Sequence, residues 1–160
     1  MSDTRGIDAH LTKDDLANIG LVAMQAAILE ETIEIGVWLA LGVPFNLGPL
    51  ITRGRTASAR LDLLRGFLKG ISPEDANKID AICNAAADAL RKRNTVLHGV
   101  VIKLADADTL AAWNREKDQT IPLSDAPSVA VALSAVEVDL MRLLQVIQRK
   151  EAGQSGCGSR

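Results

Sequence analysis

The sequence contains no tyrosine, and only two phenylalanines and two tryptophans occur among its 160 residues. Aromatic side chains therefore cannot fill the core, although 48% of the residues are hydrophobic. The core must consist mainly of leucine, isoleucine, valine and alanine, a composition that favours helices because leucine and alanine form them readily. Single-stranded RNA binders commonly stack bases on aromatic rings, and this sequence has few aromatic side chains for that purpose.

Cysteine and histidine are equally scarce. Cys83 and Cys157 have neither the spacing of a metal site nor the density of a disulfide framework, so we expect both to be reduced thiols. His10 and His98 are the two histidines, whereas a di-iron bundle requires two Glu-x-x-His motifs. The sequence therefore predicts no metal and no other cofactor.

The sequence pattern also shows neither a secretory signal nor an apolar stretch that is long enough to span a membrane. Residues 1–15, MSDTRGIDAHLTKDD, lack the basic and apolar regions of a secretory signal. The most apolar stretch, residues 35–45, is too short to cross a bilayer. We therefore expect a cytoplasmic protein that has no membrane partner.

The net charge of −2 and the pI of about 5.7 provide no overall attraction to nucleic acid. Contact with nucleic acid would require a local basic patch, and the sequence has two. The first patch runs from Arg53 to Lys69, and the second consists of Arg91, Lys92 and Arg93. A solvated helix face is the usual explanation of such patches.

The first helix is predicted from a capping box of Thr12 and Asp15 and extends to about Leu41, where Gly42 and Pro44 stop it. It carries two apolar stripes about a third of a turn apart. A helix that is apolar on two sides is normally covered on both, either by its own bundle or by a second copy of the chain. The sequence therefore predicts a homodimer. The stripes are Leu16, Ile19, Ala23, Ala26, Ile33, Val37 and Leu41, and Leu21, Met24, Ile28, Ile35 and Leu39.

Three further helices follow. Heptad spacing of apolar residues from Leu47 to Ile71 predicts a second helix that ends near Gly70. Ser72 as N-cap and Pro73 at the first position begin a third, for which Gly99 should supply a left-handed stop. The fourth begins at residues 124–127, and its stripe of apolar residues consists of Val129, Leu133, Val136, Leu140, Leu143 and Ile147.

These patterns together predict an all-α fold, an up-down bundle of four main helices with a small β-hairpin near residues 100–113. The bundle forms one domain over residues 10–150. Residues 1–9 and 152–160 are expected to be flexible termini.

Arg93 interrupts the apolar line of the third predicted helix. Because a buried charge requires a partner, Arg93 should be largely buried against Glu30 or Glu31 of the first helix. His98 lies about 140° away from Arg93 around a regular helix, so the two side chains cannot share one face. Either the last helical turn loosens, or a second chain completes a shared site. Asn94 is placed to hold the imidazole of His98 through a hydrogen bond, although a capping role for His98 is the simpler alternative.

The string RKRNTVLHG resembles the Arg-x(4–6)-His motif of the HEPN superfamily, with Arg93, Asn94, His98 and then Gly99. Members of this family are compact bundles of four or five helices, many of them dimeric. The resemblance implies a metal-independent endoribonuclease of a toxin–antitoxin or defence system, with RNA as substrate and an antitoxin or another protein as partner. Arg93 would stabilise the phosphate, His98 would transfer a proton and Asn94 would orient one of them.

Two other functions compete with the ribonuclease. A non-catalytic dimeric helical module of the same fold would use Arg93 and His98 only to organise an interface. All-α nucleotide pyrophosphohydrolases have paired acids similar to Glu30, Glu31 and Glu34 that hold Mg²⁺, but the second acidic pair of those enzymes is missing here.

Overall fold

The structure is a computed structural model, which describes residues 11–104 and 109–155, the last five of these by backbone alone. Within these residues the fold is mainly helical, as the sequence predicts, with one small antiparallel sheet. The helices are α1 (Lys13–Ala40), α2 (Gly48–Thr52), α3 (Ala57–Ile71), α4 (Ala76–His98) and α5 (Ala126–Ser155), and the strands are β1 (Val100–Lys103), β2 (Leu110–Asn114) and β3 (Gln119–Pro122).

Helix α1 begins with the predicted capping box. The backbone N–H of Thr12 donates to Asp15 Oδ2 at 2.9 Å, and the N–H of Asp15 donates to Thr12 Oγ1 at 3.1 Å. These reciprocal bonds satisfy two of the N–H groups that a helix start leaves without partners. Gly42 follows the end of the helix with a φ of 62°, a backbone conformation that glycine adopts without steric cost.

The second predicted helix is in fact two helices. Heptad spacing joined Leu47 to Ile71, whereas the structure has α2 and α3 separated by residues 53–56. Gly54 has a φ of 73°, and Thr56 caps α3 by accepting a hydrogen bond from the N–H of Ala59 at 3.2 Å. The prediction of one continuous helix was therefore wrong. The spacing of apolar residues continues across the break and did not reveal it.

The predicted start at Ser72 and Pro73 is confirmed, but the hydroxyl of Ser72 does not cap the backbone. Residues Pro73–Asp75 form a 3-10 turn before α4, and Ser72 Oγ instead lies 2.8 Å from Glu74 Oε1 and 2.7 Å from Asp75 Oδ2. Lys150 Nζ of α5 reaches the same carboxylates at 2.9 and 2.6 Å. Tertiary charge pairing therefore replaces the local cap.

The predicted hairpin near residues 100–113 is confirmed, and a third strand extends it. Strand β1 pairs antiparallel with β2, with Val100 opposite Trp113, and β2 pairs antiparallel with β3. The turn between β2 and β3 is held by Asn114, whose Oδ1 accepts from the N–H groups of Glu116 and Lys117. Strand β3 was missed because four residues give little periodicity.

Contacts divide the chain into two compact units. The described part of the first comprises residues 11–26, 89–104 and 109–133, and that of the second comprises residues 27–88 and 134–155. The prediction of one domain over residues 10–150 stays a prediction. The proposed flexible terminus begins at residue 152, yet α5 continues to Ser155, while residues 1–10 and 156–160 lie outside the described residues.

Each unit has its own buried aliphatic side chains, and aromatic residues are absent from both sets. Leucine, isoleucine, valine and alanine fill them, as the composition predicts. In the first unit the set includes Val22, Val96, Ala112, Ile121 and Leu133, and in the second it includes Leu29, Ile33, Leu64, Ile79, Leu140 and Leu143.

Helix α1 is long and apolar enough to cross a membrane by length and composition. Residues 35–45 alone are too short to cross a bilayer, so considering only them underestimated the apolar length of this helix. Core helices of globular proteins and signal sequences meet the same criteria, so the finding assigns no membrane role by itself. Leu21, Met24 and Ile28, which belong to its second apolar stripe, are 38, 53 and 40% exposed.

Candidate functional site

The candidate site lies at the carboxyl end of α4, where the helix remains regular through His98. The N–H of Gly99 donates to the carbonyl oxygen of Thr95 at 2.9 Å, which continues the α-helical hydrogen-bond pattern. The last turn therefore does not loosen, and one of the two geometries considered for Arg93 and His98 is excluded within this chain.

Gly99 ends the helix for a different reason from the predicted one. The described glycines with positive φ are Gly42 and Gly54, so Gly99 is not a left-handed stop. A Cβ at Gly99 would overlap the carbonyl oxygen of Thr95 and would lie 3.1 Å from both the backbone nitrogen and the backbone oxygen of Trp113 in β2. Glycine is therefore required because a side chain there would meet both the last turn of α4 and the backbone of β2.

Thr95 anchors this helix end to the sheet. Its side chain is fully buried, and its hydroxyl donates to Gln119 Oε1 of β3 at 2.8 Å. A buried hydroxyl without a partner is costly, so this bond holds the last turn in one orientation. Sequence reasoning missed both residues, since threonine inside a helix carries no signal of its own and β3 was not predicted.

Arg93 is half-buried, and thus less buried than the sequence predicts. Burial lowers the pKa of its guanidinium below the ordinary value, although an arginine stays charged at neutral pH. Of its two predicted partners, Glu30 is half-buried and Glu31 is exposed. The ion pair of Arg93 with either carboxylate stays a prediction.

Asn94 and His98 are both exposed, one helical turn apart. Among the described residues neither side chain takes part in a hydrogen bond or an ion pair, so the predicted hydrogen bond between them is not formed. The imidazole is therefore accessible from solvent. On this unbroken helix Arg93 and His98 lie about 140° apart, so one chain does not bring all three residues together.

A cleft of about 400 Å³ lies next to the Thr95–Gln119 bond, within the first unit. Its walls come from the carboxyl half of α4, strand β3 and the first turns of α5. Lys92 and Asp125 supply opposite charges, and the rest of the lining mixes polar and apolar side chains. No sequence motif marked this cleft, because its lining residues come from separate segments of the chain.

The acids proposed for a pyrophosphohydrolase are not arranged as a metal site. Glu34 forms a short hydrogen bond with the Thr52 hydroxyl and an ion pair with Arg60 Nη1 at 3.3 Å. Among the described residues there is no group of three or more histidine, cysteine, aspartate or glutamate side chains that could hold a metal ion. This part of the chain therefore offers no support for the Mg²⁺-dependent alternative.

Comparisons with known proteins add no relative. No protein-family model matches the chain, and neither the curated proteins nor the solved structures contain a match. The resemblance to the HEPN superfamily therefore rests on residues 91–99 and on the helical fold.

Proposed function

We propose that the chain is a HEPN-like, metal-independent endoribonuclease that acts as a homodimer in the cytoplasm. The observation that carries this proposal is the exposed imidazole of His98, which forms no hydrogen bond within the described residues. It lies at the end of a helix whose last two turns contain Arg91, Lys92 and Arg93. A histidine with a capping or core role would instead be engaged by its own chain.

The proposed chemistry needs an acid–base group and a cation at one phosphate. The 2′-hydroxyl of RNA attacks its own phosphate, loses its proton and displaces the 5′-oxygen of the next nucleotide, which must gain a proton. A histidine side chain can carry out one of these two proton transfers near neutral pH. Arginine can stabilise the charge that develops on the phosphate oxygens. In this proposal His98 transfers the proton, Arg93 stabilises the charge, and Asn94 orients the RNA rather than the imidazole.

A dimer supplies the geometry that one helix does not. Because Arg93 and His98 diverge by about 140° on a regular helix, each site would combine Arg93 of one protomer with His98 of the other. The RNA strand would pass along the interface. An antitoxin or another protein partner that covers His98 would silence both sites.

The first test is cleavage of single-stranded RNA in excess EDTA. We expect products that end in a 2′,3′-cyclic phosphate and no cleavage of DNA, which lacks the attacking hydroxyl. His98→Ala should abolish cleavage without changing helicity or dimerisation, whereas Gln145→Ala, an exposed polar position on α5, should cleave normally. Wild-type protein that leaves varied RNAs uncut, or cleavage that survives His98→Ala, would contradict the proposal.

Mixed dimers test the composite site. Arg93→Gln and His98→Ala should each be inactive alone, but a mixed dimer contains one intact pair of Arg93 and His98. Random mixing gives half mixed dimers with one of two sites intact, so we expect about a quarter of the wild-type rate. If the mixture stays inactive although mixed dimers form, the two residues do not act across the interface.

A dimeric helical module without activity is the second candidate. The exposed side chains of Leu21, Met24 and Ile28 favour it, because an apolar helix stripe of this kind is suited to a second copy of the chain. Met24→Glu should then dissociate the dimer, and light scattering should give the molar mass of a monomer. A monomeric wild-type protein at micromolar concentration would contradict both candidates.

A further inference from the structure

Residues 43–55, which connect α1 to α3 and include α2, expose bulky apolar side chains. Phe45, Leu47 and Leu50 are 59, 47 and 71% exposed, and Leu50 is the most exposed large hydrophobic residue in the described chain. We call this segment, with its three apolar side chains and with Arg53 and Arg55, the arginine-flanked loop. A surface that exposes this much apolar area over so few residues usually has a binding role.

The loop is held in place rather than left free. The indole of Trp38 meets the ring of Phe45 edge to face, with ring centroids 5.8 Å apart. A Cβ at Gly48 would overlap the same indole, so glycine lets α2 pack directly on Trp38. Trp38 Nε1 also donates to the buried hydroxyl of Thr52 at 3.2 Å. The apolar side chains are therefore displayed by a fixed support.

Much of the loop backbone satisfies its own hydrogen bonds. The N–H groups of Leu47 and Gly48 donate to the carbonyl oxygen of Pro44, and the N–H of Leu50 donates to Leu47. Pro44 and Pro49 have no N–H at all. A segment that enters an apolar phase must not carry unsatisfied N–H groups, and this one exposes few of them.

The charged side chains of the loop itself are of one sign, and the Glu34 carboxylate accepts a hydrogen bond from the Thr52 hydroxyl within it. Residues 35–61 contain three arginines and no acidic residue, in a chain with 20 acidic residues. Arg60 is paired with Glu34, whereas Arg53 and Arg55 are exposed and form no ion pair among the described residues. Two exposed cations beside three exposed apolar side chains are complementary to an anionic surface with an apolar interior.

We infer that the arginine-flanked loop docks on the surface of an anionic membrane. Phe45, Leu47 and Leu50 would enter the boundary between headgroups and acyl chains, while Arg53 and Arg55 would contact the lipid phosphates. Nucleic acid would match the arginines but not the apolar side chains. This inference departs from the sequence-based expectation of no membrane partner, because the sequence did not show that these side chains are exposed. It does not depend on the ribonuclease proposal.

The test is co-sedimentation of the full chain with phosphatidylcholine vesicles that contain or lack phosphatidylserine. We expect binding that requires phosphatidylserine and weakens as salt is raised. Arg53→Gln with Arg55→Gln should weaken it about 25-fold, or about fivefold for each arginine. The charge-matched control, Arg115→Gln with Lys117→Gln in the turn between β2 and β3, should leave binding within about twofold of wild type.

Variants of Leu50 test whether the apolar side chains contribute to vesicle binding. Leu50→Ser should weaken binding about tenfold, and Leu50→Trp should strengthen it because indoles prefer the membrane interface. Val131→Ser is the control, since Val131 is 67% exposed on α5. Failure of the wild-type protein to bind anionic vesicles would overturn the inference. A second outcome would also overturn it. If Leu50→Ser lost its dimers but bound vesicles as well as wild type, the loop would be covered by a second copy of the chain and not by a membrane.

Discussion

Thr95 and Gln119 are joined by a 2.8 Å hydrogen bond from a fully buried hydroxyl to a side-chain carbonyl oxygen. Thr95 directly follows Asn94 and precedes His98 by one turn, while Gln119 begins strand β3. The bond therefore ties the carboxyl end of α4, which carries the candidate site, to the sheet. It gives the exposed His98 a rigid base, which the catalytic role proposed for it would require.

We predict that Thr95→Val destabilises the protein by about 1–2 kcal/mol, because the shape is kept while Gln119 Oε1 loses its donor. Gln119→Leu should cost a similar amount, and the double variant should cost less than the sum of the two. Chemical denaturation of the four proteins measures this coupling. Thr120→Val, at an exposed position of the same strand, is the control and should change stability little. Strictly additive losses would show that the bond contributes nothing.

Two glycines should respond to alanine in opposite ways. Gly99→Ala should destabilise by about 2 kcal/mol, since the added methyl group meets the carbonyl oxygen of Thr95 and the backbone of Trp113. Gly66→Ala should stabilise by about 0.5–1 kcal/mol, because Gly66 lies within α3 and a Cβ there meets nothing within 4 Å. Thermal melting separates the two effects. A Gly99→Ala variant as stable as wild type would contradict the close approach of the two backbones.

The pairing of Lys150 with Glu74 and Asp75 should make stability depend on pH. Hydrogen bonds from Lys150 lower the pKa of both carboxyl groups below their ordinary values of 4.5 and 3.8, and the same bonds raise the pKa of Lys150 above 10.5. The carboxylates therefore stabilise the fold above their ordinary pKa and stop doing so as the pH falls through the lowered values. Lys150 stabilises below 10.5 and stops doing so as the pH rises through its raised value.

Lys150→Gln should accordingly lower the melting temperature most between pH 4.5 and 10.5, with a difference from wild type that shrinks on both sides. Melting curves across this range measure the effect. Lys117→Gln removes the same charge from an exposed turn and should give a small difference at every pH. A Lys150→Gln difference that does not vary with pH would rule out the charge pairing.

Cys83 should be an unreactive thiol in the folded protein. The side chain is fully buried in α4, and this desolvation raises the pKa of the thiol above 9.0, an effect that the nearby Arg65 only partly opposes. In a Cys157→Ser background, iodoacetamide should alkylate Cys83 at least about 100-fold more slowly in native buffer than in denaturant. Mass spectrometry gives both rates. Rapid labelling of the native protein would mean that α4 opens readily.

Local chemistry was enough to predict most helix starts. Thr12 and Asp15 form their capping box between neighbours in sequence, and Pro73 marks the start before α4, although Ser72 does not cap it. The hairpin at residues 100–113 was also visible, because its two strands are close in the chain. The aliphatic composition determined what fills the core.

Tertiary structure decided what these signals leave open. The break at Gly54 was hidden because apolar spacing continues across it, and the carboxylate cluster at Ser72 depends on Lys150, 78 residues later. In the candidate site, the sequence determined the order Arg93, Asn94, His98 and their angles around the helix, since a regular helix turns by a constant amount per residue. Only the folded chain decided that Arg93 is half-buried, that His98 is exposed, and that Thr95 is bonded to Gln119, because burial and distant partners depend on which segments pack together.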